Sequence, residues 1–537
     1  MPKVLRDMPD TSGYWAASWT ICPMPDTHVI CDAPIGCFNL VSTAVSDYTD
    51  AIPHIENMTP SVMREKEVGG TGTGPAVQRT YNDLEAEGLL EGKHLIVMST
   101  AESEMIGSDL SDLVTQLKPG TTFYFSDSLS SDEWAGRDTC LQWLWENYSS
   151  DAANSMEIEP GLVNIIGPTY GCFNAPADLH EIKRLIEGAG GRINMVFPYE
   201  ANLSDIDQLA KAQINVIMYK EFGQTLAKTL AELKGQPSLQ APMGMMETTA
   251  FIQQLGALLG TQDQAAAFVA HEKKTTLQPV WDLWRGPQGD WFGTTTVGIV
   301  ACKTYTDGLK AFFGDELGMP IALAASRPVK VGEMDNEAIR QQLHQQAPTF
   351  LFGSINEKIY LSEAGAKHTA FIPASFPGPI VRRALGTPFM GYSGATYLVQ
   401  EIVNLLYETL FNFLPVDAAY AQTRGGAGMG MMGPPSGTPS KGASGGPPSG
   451  TPGGPPLDAD SQSAAEDQQQ PSQQPGNLPW QPEATVALDA ALEKIPFLPR
   501  ISASRELQMK AETLAQNRGL KKVTADLMAE VLAIQGA

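Results

Sequence analysis

Short apolar runs, each closed by a glycine-bearing turn and followed by a helical pattern, recur along most of this chain and set its fold class. Residues 94–100, 163–167, 193–198, 216–219, 297–301, 321–325 and 350–353 are such runs. Between them, residues 178–188, 248–259 and 306–317 carry apolar side chains at helical spacing. A run that short and that continuously apolar reads as a strand buried on both faces of a parallel sheet. Strand–helix alternation sustained over this length predicts α/β domains. Sheets of this kind bind ligands beyond the carboxyl ends of their strands.

At 537 residues the chain exceeds what one core can hold. The pattern predicts an α/β domain over 1–158, a second over 159–295, and a third over 296–416 that includes a return helix. Residues 417–477 form a low-complexity linker. From about residue 424 that linker is Gly, Pro, Ser, Gln and Met with almost no large apolar side chain, a composition expected to stay disordered. A small helical module follows over 478–537, with helices expected at 483–494, 503–518 and 524–534. It is locally basic through Lys494, Arg500, Arg505, Lys510, Arg518, Lys521 and Lys522, which reads either as a solvated face or as a docking surface.

The formal charge of −24 disfavours nucleic acid and anionic membrane surfaces as partners. No stretch approaches the roughly 20 apolar residues of a membrane helix. Residues 1–10 carry no apolar signal segment, so a cytoplasmic protein with its six cysteines reduced is the expectation. There is no phosphate-binding G-x-x-x-x-G-K-[ST], no H-E-x-x-H, no C-x-x-C and no G-x-S-x-G. The GGTGTG run at 69–74 lacks a clear flanking strand and helix, and it reads as a flexible loop.

One thiol stands out. In the segment 29–37 an apolar run ends in a Pro/Gly turn with Cys37 at its tip. Gly36 allows close approach of a bulky ligand, and a thiol beyond a strand suits iron–sulfur ligation. An ordinary buried cysteine is the alternative. Cys22 and Cys31 read as core residues.

Several motifs resemble a known family. They are GYWAA at 13–17, APIGC at 33–37, SDYTDAIP at 46–53, the long segment 164–198, VIMYKEFG at 216–223, PVWDLWR at 279–285, LFGSINEKIYL at 351–361, TPFMGYSGATYLVQEI at 387–402, and the segment 479–502. They are similar to the Z-type subunits of chlorophyllide a reductases. These are nitrogenase-like enzymes of bacteriochlorophyll synthesis, related to the B-type component of light-independent protochlorophyllide reductase. The resemblance covers nearly the whole chain apart from the linker.

The resemblance implies three nitrogenase-like Rossmann-type domains and a heterotetramer of two Y-type and two Z-type subunits. It implies a 4Fe-4S cluster shared with the Y-type subunit, which gives three ligands while this chain gives one. The matching position is Cys37, where protochlorophyllide relatives place an aspartate. ATP would enter only through a separate X-type iron protein, and the reaction would be reduction of ring B of chlorophyllide a. Phe38, Asn39, Trp281 and Trp284 are candidates for lining the pigment pocket. The proton-donating aspartate of the protochlorophyllide relatives falls at Cys302, so no acid is carried over and the proton donor stays open. Three alternatives remain: a component of protochlorophyllide reductase, a non-catalytic nitrogenase-like scaffold, and a plain α/β binding module.

Overall fold

The computed structural model describes residues 12–47, 56–279, 293–327, 334–366, 368–376, 386–413 and 481–492, with parts of 507–535. Trp281, Trp284 and the low-complexity linker lie outside the described residues. The chain divides into two compact units, residues 1–429 and 430–537.

The first unit repeats one design three times. Helix α1 (Gly13–Ile21) leads into β1 (Thr27–Cys31), α2 (Ile35–Asp47), β2 (Met58–Pro60), α3 (Gly74–Ala86), β3 (His94–Met98), α4 (Ala101–Met105), β4 (Thr122–Tyr124) and α5 (Glu133–Tyr148). The second set is β5 (Leu162–Ile166), α6 (Ala175–Gly188), β6 (Arg192–Phe197), β7 (Ile214–Ile217), α7 (Gln224–Lys234) and β8 (Ser238–Gln240), followed by α8 (Met245–Leu259). The third is β9 (Val297–Cys302), α9 (Lys303–Lys310), β10 (Ile321–Arg327), β11 (Phe350–Gly353), α10 (Ile355–Glu363) and β12 (Ala370–Pro373), closed by α11 (Gly391–Phe413). The three sheets have strand orders β2-β1-β3-β4, β6-β5-β7-β8 and β10-β9-β11-β12, and all their pairings are parallel. The strand that comes first in sequence in each sheet is therefore central, and the order reverses between it and the third.

Side-chain alternation along these strands builds the cores. Val29, Cys31, Ile96 and Met98 face one large core that also takes in the second and third sheets. Ile30, Leu95 and Val97 point the other way, under α3 and against Val77, Tyr81 and Leu84. Val300 and Leu351 do the same on the outer face of the third sheet. Each aliphatic side chain so buried contributes about 1.5–3 kcal/mol relative to exposure.

Two buried charged residues tie the sheets together. Arg137 on α5 is fully buried, with its guanidinium 4.7 Å from the ring of Trp134 and 5.3 Å from that of Trp19. Its Nη2 donates to the Tyr170 carbonyl beyond β5 at 3.1 Å. Asp178 on α6 accepts from the amides of Phe389 and Met390 at 2.6 and 3.0 Å, and from the Tyr305 hydroxyl of α9.

In the second unit, helices α12 (Pro482–Leu492) and α13 (Ala525–Gln535) enclose Ala484, Leu488, Leu507, Ala511, Val523 and Leu527. Arg518 of the basic group forks onto Glu530 at 2.7 and 2.8 Å.

Candidate functional site

In a parallel sheet the crevice for a ligand opens where the strand order reverses. In the first sheet that point lies between β1 and β3. Their register sets Cys31 beside Met98, and the Asp32 amide donates to the Met98 carbonyl at 2.9 Å. The apolar run ends at Cys31, and the turn 32–34 follows. Cys37 therefore sits in the first turn of α2 rather than at the tip of a turn. Pro34 opens the helix, its carbonyl taking the first helical bond from the Phe38 amide at 3.2 Å.

A polar network locks this edge. Asp32 is fully buried and accepts from Ser61 Oγ beyond β2 at 3.1 Å and from Thr73 Oγ1 before α3 at 2.7 Å. Its carbonyl accepts from Thr100 Oγ1 beyond β3 at 2.7 Å. Burial pushes the Asp32 carboxyl above its ordinary value. Glu104 does the same work on the far side, accepting from Ser99 Oγ at 2.7 Å, Ser126 Oγ at 2.9 Å and the Leu129 amide at 3.3 Å. The loops after all four strands are thus pinned from within.

The glycine run 69–74, expected as a flexible loop, is instead built into this edge between β2 and α3. Residues Glu67–Thr71 form a wide helical turn. Buried Glu67 holds it, accepting from the Arg64 amide at 2.8 Å and from Arg79 at 2.5 Å. Arg79 meets Glu67 from α3, twelve residues on, which is why the run itself does not signal order. A cleft of about 470 Å³ lies between Gly70, Gly72 and Thr73 on one side and Gly107, Ser108 and Asp109 on the other.

Cys37 is half-buried on this edge. A side chain added at Gly36 would meet nothing within 4 Å, so the backbone beside the thiol is open to approach. Burial pushes the thiol up to about 11, and the negative Glu102 carboxylate adds to the rise. Phe38 packs partly into the large core, and Asn39 is exposed. Around them stands an apolar rim. Ile35, Leu40, Val62, Val68, Met105, Ile106, Phe125 and Leu129 are all exposed, between 38% and 68%. They come from the loops and helix starts after β1, β2, β3 and β4. Exposed apolar side chains on one sheet edge, with polar supports beneath them, have the composition of a protein interface.

The other thiols lie elsewhere. Cys22 is buried with its Sγ donating to Met58 Sδ at 2.7 Å, and Cys31 is buried inside β1. Cys302 ends β9, at the point where the third sheet's order reverses, and is 9% exposed. Burial, then Glu221, pushes its thiol well above the ordinary value. Glu221, on the loop after β7, accepts from the Thr304 amide at the start of α9 at 2.7 Å. A second cleft of about 720 Å³ lies at the amino end of β1, walled by His28, Asn57, Lys93, Tyr170 and Tyr199.

Among the described residues no three His, Cys, Asp or Glu side chains stand together as a metal set. One half-buried thiol on an apolar edge fits a cluster whose remaining ligands would come from another chain. Glu102 and Glu221 escape a reading of the sequence because each acts on the charge of its cysteine from a segment far along the chain.

Residues 12–407 match the family of nitrogenase component 1 type oxidoreductases. The B-type component of light-independent protochlorophyllide reductase from Synechococcus sp. (strain JA-2-3B'a(2-13)) is 26% identical over 430 residues, covering 71% of this chain and 79% of the relative. The protein of the same name from Nephroselmis olivacea is 28% identical over 423 residues, covering 71% and 76%. A solved structure described as "Nitrogenase Cp1 at pH 6.5" superposes with a TM-score of 0.61 at 18% identity, covering 78% of this chain and 97% of that one. The chain belongs to the nitrogenase component 1 type oxidoreductases. Among the described residues no helix is long and apolar enough to cross a membrane.

Proposed function

We propose that this chain is the Z-type subunit of a chlorophyllide a reductase, reducing ring B of chlorophyllide a together with a Y-type subunit. The reading rests on one observation above the others: a half-buried thiol, Cys37, stands at the order reversal of the first sheet within an exposed apolar rim. Relatives named as components of protochlorophyllide reductase, together with the motif resemblance, connect that edge to porphyrin reduction.

Cys37 would give one ligand to a 4Fe-4S cluster shared with the Y-type subunit, and the bound cluster supplies single electrons. The protein's own part is to hold that ligand still. Asp32 and Glu104 fix the four loops, and the apolar rim takes the partner and excludes water, which strengthens every interaction within. Phe38 and Asn39 stand next to the ligand and would border the pigment. The chain carries no phosphate-binding loop motif, so ATP use falls to a separate X-type iron protein. A cytoplasmic setting suits that division of labour.

A component of protochlorophyllide reductase is the second reading, favoured by the names of the relatives. Against it stand the cysteines at 37 and 302, where resemblance to that enzyme would put aspartates. The proposal is tested by anaerobic purification of the chain alone and with its Y-type partner. Iron and sulfide are expected in the co-purified complex and absent from the lone chain. A complex without iron would end the proposal.

A further inference from the structure

We infer that the larger cleft, at the amino end of β1, is a second binding site that takes a flat aromatic carboxylate, the class to which chlorophyllide a belongs. The ligand class follows from the cleft, and naming the pigment as its member rests on the reading above.

Two domains build this cleft of about 720 Å³. Pro23, Leu89 and Lys93 come from the segments that enter β1 and β3, and His28 from β1 itself. Tyr170 and Tyr199 come from beyond the carboxyl ends of β5 and β6, where parallel sheets take ligands. The five residues of β1, roughly 16 Å of strand, separate the cleft from the Cys37 edge. The walls are bolted to each other. Asp26 accepts from the amides of Leu203 and Ser204 at 2.7 and 2.9 Å. The Tyr170 amide donates to the Trp19 carbonyl at 3.2 Å, and Asn57 Nδ2 donates to the carbonyls of Cys22 and Met24, each at 3.2 Å. Small-molecule sites are preformed in this way and occupy about 300–1,000 Å³.

The rings of Tyr170 and Tyr199 meet edge to face, with centroids 5.8 Å apart and planes at 86°. With Pro23 and Leu89 this aromatic corner offers apolar faces to a flat body. Among the described residues Lys93 pairs with no carboxylate, and its Nζ donates to the Pro25 carbonyl, which leaves two of its three N–H donors. His28 adds no charge beside it, because burial and then Lys93 push the imidazole down to about 4. Of the two acids on the wall, Glu200 is held by Lys183 and Glu56 is exposed to water. One available ammonium beside aromatic faces selects an anion carried on an aromatic body. Chlorophyllide a is a flat apolar macrocycle with one free carboxylate, so the cleft would hold the pigment away from the edge where it is reduced.

The test is binding of chlorophyllide a to the purified full chain without partners, by equilibrium dialysis and by the absorbance shift of the bound pigment. Lys93→Gln removes the charge and keeps a donor for the Pro25 carbonyl. It is expected to bind about tenfold more weakly than wild type, with an unchanged urea midpoint. Lys93→Arg is expected to bind as wild type does. Leu89 is 48% exposed, so Leu89→Trp fills the cleft without disturbing the core and is expected to abolish binding. The methyl ester of the pigment, which has no free carboxylate, is expected to bind wild type about tenfold more weakly than the acid, and Lys93→Gln equally in both forms. Should Lys93→Gln fail to fold, the acid and ester compared on wild type still decide. No binding to the wild-type chain would overturn the inference, as would equal affinity for acid and ester, or binding indifferent to both Lys93→Gln and Leu89→Trp. The parent reading fails by a different result, chlorophyllide a left unreduced by the assembled complex.

Discussion

Replacing Asp32 tests whether the polar network beneath the first sheet's edge holds the Cys37 turn in place. Asp32 is fully buried, and its two bonds reach Ser61 Oγ and Thr73 Oγ1. Hydrogen bonds to a charged group contribute about 1.5–3 kcal/mol each. Thr73 has a second acceptor in Ser108 Oγ at 3.0 Å, so its loss is partly made good, while the Ser61 hydroxyl is orphaned. Asp32→Ala should therefore destabilise the protein by about 3 kcal/mol. Asp32→Asn should cost under about 1 kcal/mol, because the amide accepts from one hydroxyl and donates to the other. Urea unfolding followed by circular dichroism gives both numbers. The rate at which a thiol reagent modifies Cys37 reports the turn, and it should rise in Asp32→Ala. Burial raises the Asp32 carboxyl in the folded state. Between the unfolded and folded pKa values the native state holds the extra proton, so this group's contribution to stability falls as pH rises through that window, which begins near about 3.9. Asp32→Asn removes that slope, so its stability relative to wild type should be most favourable at neutral pH and decline towards pH 4. Equal losses for alanine and asparagine, or no loss for alanine, would show that the network does not hold the turn.

Three further outcomes are expected. Arg137→Lys should lose about 2 kcal/mol, because a lysine cannot stack between Trp19 and Trp134 while reaching the Tyr170 carbonyl, and chemical denaturation measures it. Cys302→Ser should leave measurable turnover in the assembled complex, since burial and Glu221 keep that thiol protonated and unsuited to release a proton at neutral pH; complete loss with pigment still bound would show otherwise. The purified chain should show no micromolar ATP binding by titration calorimetry, and a binding isotherm in that range would contradict the division of labour with an iron protein.

The parts of this fold that can be read from the sequence are those whose cause is local. The central strands β3, β5, β7, β9 and β11 announce themselves because burial on both faces makes them mostly apolar, apart from the paired Asn164 and Asn215 of β5 and β7. The edge strands β2, β4 and β8 are three residues long, too short to show any period. Around Cys37 the sequence predicts a turn, yet α2 begins at Ile35. Exposed Ile35 and Leu40 blur the helical pattern there, since they serve an edge rather than the core. The Pro/Gly setting of Cys37 shows in the sequence, and Cys22 and Cys31 lie in the core as their apolar neighbours imply. The carboxylates are not legible. Asp32, Glu102 and Glu221 act on residues that follow other strands, and only the strand order brings them together.

Anaerobic pigment turnover decides the proposed activity, using the complex of this chain with the proposed Y-type subunit and iron protein, ATP and a low-potential reductant. Chlorophyllide a should be consumed, with the absorbance shift that accompanies saturation of ring B, while protochlorophyllide should not. Consumption of protochlorophyllide with chlorophyllide a left untouched would contradict the assignment.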